Sequence, residues 1–197
     1  MMLAYEDKIP SNKDLFISGV KKIAMDLNTN PNWLMGVMYS ESKLNPQAQN
    51  TKYPLHNGPA TGLIQFTPDT AQDLGTSIDE LMKMSNVQQL SYVKKYLLPF
   101  KGKLNSYFDT YVSVFFPSAI GKPDEWIFQT NNISRSSVAR QNPGIDLNGD
   151  GQITVAEFKG FLLRTIPAAL RNMIFEIKKN KLVTVLIILG LYAIFKD

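Results

Sequence analysis

The chain has 197 residues, of which 44% are hydrophobic and 19% charged, a composition typical of one compact domain with appendages. It contains no cysteine, which excludes a disulfide scaffold, a zinc-thiolate site and a cysteine nucleophile, and its single histidine, His56, argues against histidine-rich metal catalysis. The net charge of +4 comes without a basic stripe interleaved with aromatic residues, so we expect no nucleic-acid partner.

Apolar residues at helical spacing dominate the first 120 positions. The pattern predicts helices over residues 11–28, 31–43, 67–74, 77–83, 86–98 and 105–116. The segment 45–66 is rich in Asn, Pro, Gly and Thr, and is predicted to be a loop with at most a short hairpin. The sequence therefore predicts a mainly α fold.

Glu41 lies near the end of the second predicted helix, which begins at Pro31, a residue suited to the first helical position. Val37 and Met38 precede it on the same helix face. A carboxyl group against apolar side chains holds its proton toward neutral pH, as a general acid must. On this segment alone, however, a solvated surface glutamate is the more common case.

The pattern changes after residue 120. Residues 121–145 contain Gly, Pro, Asn and Ser, and are predicted to be an extended connection that Trp126-Ile127-Phe128 anchors to the domain. Residues 146–157 then match the EF-hand calcium loop at every diagnostic position. The predicted ligands are Asp146, Asn148 and Asp150 by side-chain oxygens, Gln152 by its carbonyl, Thr154 through a water, and Glu157 by both carboxylate oxygens.

Only one such loop is visible, so we interpret it as a structural fastening of the C-terminal end, not as a sensor. Calcium is accordingly expected to have a structural role and to take no part in chemistry. Its removal is expected to change stability more than cleavage rate, because the loop is remote from Glu41 in the sequence. A decayed loop that no longer binds metal is the alternative.

The C-terminal tail is strongly apolar. Residues 182–195 carry no charge, and lysines flank them on both sides. A helix from Pro167 to about residue 195 is predicted, and insertion into a membrane is the preferred interpretation because such a helix has no polar face for water. The alternatives are a buried helix and a protein–protein anchor.

Two segments together resemble a known family. The Glu41-Ser42…Asn45-Pro46 stretch and the later Gly62-Leu63-Ile64-Gln65-Phe66-Thr67-Pro68 stretch are similar to those of the lysozyme-like lytic transglycosylases, the group of soluble lytic transglycosylases and goose-type lysozymes. Residues 109–123 and the calcium-type loop resemble a phage-associated branch of it. The resemblance covers roughly residues 15–165. It implies a lysozyme-like catalytic domain over 1–120, the connection and calcium loop over 121–166, and the anchor helix over 167–197.

The resemblance implies cleavage of the β-1,4 bond between N-acetylmuramic acid and N-acetylglucosamine in peptidoglycan. Glu41 would act as acid and then as base while the muramic 6-hydroxyl attacks, leaving a 1,6-anhydro end. By the same resemblance Ser42 would hydrogen-bond near the acid, Gln65 would contact the sugar, and Tyr111 would orient Glu41 or the substrate. Val112 stands where many family members have an Asn, so the role of that Asn does not carry over.

A hydrolytic lysozyme would need a second carboxylate. Asp69, Asp73 and Asp109 are the nearest candidates, and each is interpreted as a helix cap or a surface group, which favours the non-hydrolytic route. A hydrolytic muramidase, a structural virion protein that keeps the glycosidase fold, and a membrane-anchored glycan-binding module remain as alternatives.

The expected setting follows from the two ends of the chain. The first ten residues contain no basic patch followed by an apolar stretch, so no secretory signal is predicted. We therefore expect an enzyme associated with a membrane through its tail, in a phage particle or at the host cell envelope. Its expected partners are peptidoglycan strands, the membrane and other virion proteins.

Overall fold

The computed structural model describes residues 2–51, 57–166 and 171. Within them the chain forms eight α-helices: α1 (Lys13–Leu27), α2 (Pro31–Ser42), α3 (Pro68–Asp73), α4 (Ile78–Lys83), α5 (Asn86–Leu97), α6 (Tyr107–Phe115), α7 (Arg135–Gln141) and α8 (Val155–Thr165). Short 3-10 helices cover Glu6–Lys8, Leu98–Phe100 and Pro117–Ala119. The mainly α fold is confirmed, and the six helices predicted before residue 120 agree with α1 to α6 to within two residues at each end.

Polar caps explain why these helix ends could be predicted. Ser77 caps α4 by accepting a hydrogen bond from the Glu80 amide at 3.2 Å, and its own amide donates to the Glu80 carboxylate at 3.0 Å. Ser85 starts α5 with the same reciprocal pattern. Thr67 caps α3 just before Pro68. These three helices thus begin where the sequence supplies a cap, whereas Asn12 at the start of α1 makes no side-chain cap hydrogen bond.

The central element of the domain is α2. It packs against α1 and against α6, while α1 also packs against α5. The run 34–38 in its middle is buried at every position. A helix that is apolar on all sides belongs in the interior. The C-terminal residues of α2 therefore belong to a helix that is fixed in the core.

The predicted extended connection over 121–145 is wrong in one part, because α7 lies within it. Ser134 caps this helix by accepting a hydrogen bond from the Ser137 amide at 3.3 Å. Only Val138 and Ala139 are buried in it, so the sequence showed too few apolar positions to reveal a helical period.

The expected anchor, residues 126–128, pairs with the end of the calcium-type loop. Ile127 and Thr154 form an isolated antiparallel bridge. The Phe128 amide donates to the Ile153 carbonyl at 2.8 Å, and the Val155 amide donates to the Trp126 carbonyl at 3.0 Å. These bonds fasten the second half of the loop to the domain, and the fully buried Phe128 and Ile153 side chains lie in its core.

No helix within residues 2–51 and 57–166 is long and apolar enough to cross a membrane. The tail helix predicted for residues 167–195 lies outside the described residues, apart from Arg171, and so does His56.

Candidate active site

Glu41 lies in the last turn of α2, and its side chain is partly buried. Burial raises the pKa of the Glu41 carboxyl above its ordinary value, while a hydrogen bond from the Tyr111 hydroxyl and the positive charge of Lys43 lower it in part. The net direction is upward, so this carboxyl holds its proton to a higher pH than an exposed glutamate does. Such a group can serve as a general acid near neutral pH.

Three tyrosines surround the Glu41 carboxyl. Tyr111 on α6 hydrogen-bonds to it, and the charge of Glu41 also acts on Tyr96 of α5 and Tyr107 of α6. Burial is the main cause that raises the pKa of Tyr96 to about 12 and that of Tyr111 well above its ordinary value. Both phenols therefore remain neutral and can donate hydrogen bonds at any pH at which Glu41 titrates.

Ser40 was not identified from the sequence, yet it links the two helices of the site. Its hydroxyl lies 3.4 Å from the Tyr107 hydroxyl and also hydrogen-bonds to Tyr111. Val112, which replaces the Asn of many family members, is fully buried on α6 and faces the core. Ser40 and Glu41 on α2 thus make polar contacts with Tyr107 and Tyr111 on α6.

The chain turns sharply directly after Glu41. Lys43 and Leu44 have φ angles of 55° and 64°, in the left-handed region that residues with a side chain rarely adopt. The Lys43 amide donates to the Tyr39 carbonyl at 2.9 Å, which closes the helix. Leu44 is fully buried, and this burial holds the strained turn in place. The turn directs the following loop back past the acid.

The second predicted segment forms a tight turn. The backbones of Thr61 and Phe66 exchange two hydrogen bonds, at 2.9 and 2.8 Å. Gly62 within the turn has φ +84°, and a Cβ there would lie 2.5 Å from the Gln89 side-chain oxygen. Only glycine satisfies both conditions, so the sequence signal at this position has a structural cause.

Gln65 is held at the bend of this turn with φ 55°. Its side-chain nitrogen donates to the carbonyls of Ala48 and Gly62 at 3.2 and 3.1 Å. Its side-chain oxygen receives no hydrogen bond from the described residues, and the side chain is partly exposed. A fixed amide that presents an acceptor oxygen suits the sugar contact that the resemblance implied.

Ser42, which the resemblance implied would hydrogen-bond near the acid and contact the substrate, lies directly after Glu41 at the end of α2. Its side chain is only 6% exposed, and its hydroxyl lies 2.9 Å from the Met38 carbonyl and 3.0 Å from the Leu63 carbonyl. These bonds join the end of α2 to the Thr61–Phe66 turn, so Ser42 holds the two segments that flank the acid. The expected contact of Ser42 with the substrate stays a prediction.

Gln89 on α5 is the polar residue that sequence reasoning missed. It is fully buried; its nitrogen donates to the carbonyls of Pro46 and Leu81 at 2.7 and 2.8 Å, and its oxygen accepts from the Leu63 amide at 3.0 Å. It thus holds both segments that flank the acid. A glutamine on the apolar face of α5, next to Leu90, was the available signal.

Gln89→Ala is expected to lower the free energy of unfolding by about 3 kcal/mol, because three buried backbone groups lose their partner. Chemical denaturation measures the loss. Gln72→Ala, which truncates an exposed glutamine on α3, is the matched control and should stay near the parent. Equal stability of the two variants would contradict the role assigned to Gln89.

No carboxylate is among the groups that act on Glu41 in the part of the chain that is described. Asp109 accepts a hydrogen bond from the Ser106 hydroxyl at 2.7 Å, at the start of α6. Asp69 and Asp73 are exposed on α3. The interpretation of all three as cap or surface groups is confirmed.

The calcium-type loop has the turns that its sequence predicts. Asp146 accepts hydrogen bonds from the amides of Gly149 and Gly151 at 2.8 and 2.9 Å, and both glycines have positive φ. Asn148 accepts from the Asp150 amide at 2.8 Å, and Asp150 accepts from the Gln152 amide at 2.9 Å. These bonds curl the first half of the loop around its own side chains.

The donor set of the loop is oxygen-only, with three carboxylates, and this chemistry fits a hard cation such as Ca²⁺. Glu157, however, bonds to the Leu147 amide at 3.1 Å and to the Thr154 amide and hydroxyl, both at 2.9 Å. Among the described residues, no group of three or more acidic, His or Cys side chains is arranged so that it could hold a metal ion. Thr154 caps α8, and the Gln152 side chain accepts from Arg135 at 3.1 Å.

One part of the chain matches a known protein family. Residues 19–98 match the family model described as Transglycosylase SLT domain, whose members are lytic transglycosylases acting on peptidoglycan. The matched region contains Glu41, the Thr61–Phe66 turn and Gln89, and it ends before Tyr111 and the calcium-type loop. No curated protein and no solved structure matches the chain.

Proposed function

Since the chain is a peptidoglycan lytic transglycosylase, we propose that Glu41 is the single acid and base with which it cleaves the β-1,4 bond between N-acetylmuramic acid and N-acetylglucosamine. The surroundings of the Glu41 carboxyl carry this proposal. The carboxyl is partly buried, its pKa is raised, and it accepts a hydrogen bond from the neutral phenol of Tyr111. Among the described residues no second carboxylate acts on it.

In the first half of the reaction Glu41 donates its proton to the glycosidic oxygen. The bond from the muramic C1 to that oxygen then breaks, and the N-acetylglucosamine leaves with a free hydroxyl. The carboxylate that remains on Glu41 accepts the Tyr111 hydrogen bond and lies near the Lys43 charge. Both interactions stabilise the negative charge that develops during proton transfer.

In the second half the same carboxylate acts as base. It takes the proton of the muramic 6-hydroxyl while that oxygen bonds to C1, which closes the 1,6-anhydro ring and returns Glu41 to its acid form. Water takes no part, so no second carboxylate is needed. The fixed Gln65 amide would accept a hydrogen bond from the N-acetyl group and hold the muramic unit in register.

The products test this route directly. Mass spectrometry of fragments released from purified peptidoglycan by the 197-residue chain should give 1,6-anhydro ends. Reducing ends would instead identify water as the nucleophile, and the hydrolytic lysozyme alternative would replace the proposal.

The proposal includes a structural calcium ion in the loop 146–157. Asp146, Asn148, Asp150 and Glu157 would hold it by side-chain oxygens, Gln152 by its carbonyl, and Thr154 through a water. The ion would neutralise the acidic loop and fasten its two halves. Calcium takes no part in the cleavage step, which is carried out by Glu41.

Removing calcium with a chelator is expected to lower the melting temperature by several degrees, because an ion at about 100 times its Kd stabilises a protein by about 2.7 kcal/mol. Differential scanning calorimetry with and without calcium measures the shift. Asp150→Asn keeps the acceptor for the Gln152 amide but loses one charge, so its shift should be smaller. An unchanged melting temperature of the parent chain would refute calcium binding.

The proposed setting is a phage particle or the host cell envelope, with the apolar stretch 182–195 as the membrane anchor. The sequence of that stretch and the flanking lysines support it. Flotation of the chain with lipid vesicles tests the anchor. A chain that stays in the dense fraction would contradict membrane binding by residues 182–195.

A further inference from the structure

Phe158 is the centre of an aromatic cluster between α6 and α8. It is 1% exposed, and its ring stacks on Phe115 at a centroid distance of 4.8 Å. Its edge-to-face contact with Tyr111 has a centroid distance of 5.7 Å and an interplanar angle of 65°. Phe108, Phe128 and Phe161 complete the cluster. Phe158 therefore packs directly on the residue that hydrogen-bonds to the acid.

Tyr111 is held from two ends. Its hydroxyl bonds to Glu41, while its ring lies between Tyr107, at a centroid distance of 5.9 Å, and Phe158. Edge-to-face pairs have a preferred geometry and contribute energy beyond their buried area. The direction in which the phenol points thus depends on where the Phe158 ring lies.

The position of Phe158 is set in turn by the start of α8. Thr154 and Glu157 form the capping box of this helix, and Phe158 follows directly in its first turn. The bridge between Ile127 and Thr154 fixes the same point to the domain. The end of the calcium-type loop is therefore close to the acid in space, although it lies more than a hundred residues away in the sequence.

We infer that Phe158 is a positioning residue for the transglycosylase reaction: it holds the Tyr111 ring so that the phenol bonds to Glu41, and it thereby connects the start of α8 with the acid. This inference rests on the proposed role of Glu41. It assigns to a residue outside the matched transglycosylase segment an effect on the chemistry, whereas a residue that only fills the core would affect stability alone.

Phe158→Leu tests the inference, because leucine keeps an apolar side chain but has no ring edge to direct Tyr111. Phe16→Leu on α1 makes the same change at another fully buried position and is the matched control for lost core packing. Phe158→Met is made in parallel, so that the test does not depend on one variant folding. Urea denaturation of all three gives the stability loss against which activity is compared.

The main readout is the pH dependence of kcat/KM on peptidoglycan. The titratable groups that face Glu41 are Lys43 at the end of α2, Tyr96 on α5, and Tyr107 and Tyr111 on α6. Of these, Tyr111 is the one whose hydrogen bond lowers the pKa of Glu41. A misplaced Tyr111 should therefore move the alkaline limb, where Glu41 loses its proton, to higher pH.

We expect kcat of Phe158→Leu to fall about ten-fold and its alkaline limb to move to higher pH. Phe16→Leu, with a similar loss of stability, should show neither the fall in kcat nor the shift of the alkaline limb. In a Tyr111→Phe background, Phe158→Leu should cause no further shift, since the hydroxyl it directs is absent. A pH profile of Phe158→Leu and Phe158→Met that matches Phe16→Leu would overturn the inference. Full activity of Glu41→Gln, measured alongside, would instead overturn the proposed function itself.

Discussion

Glu41→Gln is expected to lower kcat on peptidoglycan by about 10³-fold, because the amide keeps the size of the side chain but can neither donate the proton nor take it back. Since the same group serves both halves of the proposed reaction, no later step can compensate. Release of soluble fragments under single-turnover conditions measures the loss. Binding to insoluble peptidoglycan, followed by sedimentation, should change little, because the variant keeps the surface of the site.

The same substitution should leave stability at neutral pH equal or higher. Folding raises the pKa of Glu41 above its ordinary 4.5, so the folded chain binds this proton more tightly than the unfolded chain does. The resulting stabilisation is complete below pH 4.5 and is lost as the pH rises through the folded pKa. Glutamine has no charge to bury, and its advantage over the parent should therefore increase over that range.

Asp73→Asn is the matched control, because it neutralises an exposed carboxyl within the same matched segment. It should retain full activity. A comparable loss in Asp73→Asn would mean that a second carboxylate takes part, and retained activity of Glu41→Gln would exclude Glu41 as the acid.

Local signals in the sequence were enough for most of the helical framework. Helices α3 to α5 begin directly after the N-cap residues Thr67, Ser77 and Ser85, whose hydrogen bonds span three residues and can be recognised without knowing the fold. In contrast, α7 has only two buried apolar residues, Val138 and Ala139. A period could not be recognised from so few positions.

In the candidate site, too, some residues could be identified from local sequence and others only from the folded structure. Glu41 was identified because a helix end and a following Gly-bearing segment are local features. Gln89 and Ser42 take their roles from partners in other segments, since Gln89 bonds to the Leu63 amide and Ser42 to the Leu63 carbonyl. No spacing along the chain encodes such pairs.

The calcium-type loop is remote from the acid along the chain, yet its end lies close to the acid in space. Phe158 directly follows Glu157 and packs on Tyr111, so the loop end and Glu41 are separated by two side chains. That the removal of calcium changes stability more than cleavage rate stays a prediction. An effect on the rate would have to pass through Phe158 and Tyr111.

Tyr111→Phe is expected to lower kcat about 30-fold and to move the alkaline limb of the pH profile to higher pH. The hydrogen bond from Tyr111 lowers the pKa of Glu41, because it stabilises the carboxylate more than the protonated acid. Without it the carboxylate that forms in the first half of the reaction loses about 2 kcal/mol of stabilisation, which corresponds to the expected loss of rate. Initial rates across the pH range, measured with Tyr107→Phe as the control, separate this effect from packing.

Tyr107→Phe removes a phenol hydroxyl one helical turn away, where its partner is the Ser40 hydroxyl at 3.4 Å and not the acid. Its pH profile should therefore follow the parent, even if the contact between α2 and α6 is weaker. If both variants shift the profile equally, the two phenols act on Glu41 only through their general polarity, and the Tyr111 hydrogen bond has no specific effect on its pKa. If Tyr111→Phe alone moves the alkaline limb, the phenol acts on the acid directly, because each variant loses one phenol hydroxyl and only that of Tyr111 hydrogen-bonds to Glu41.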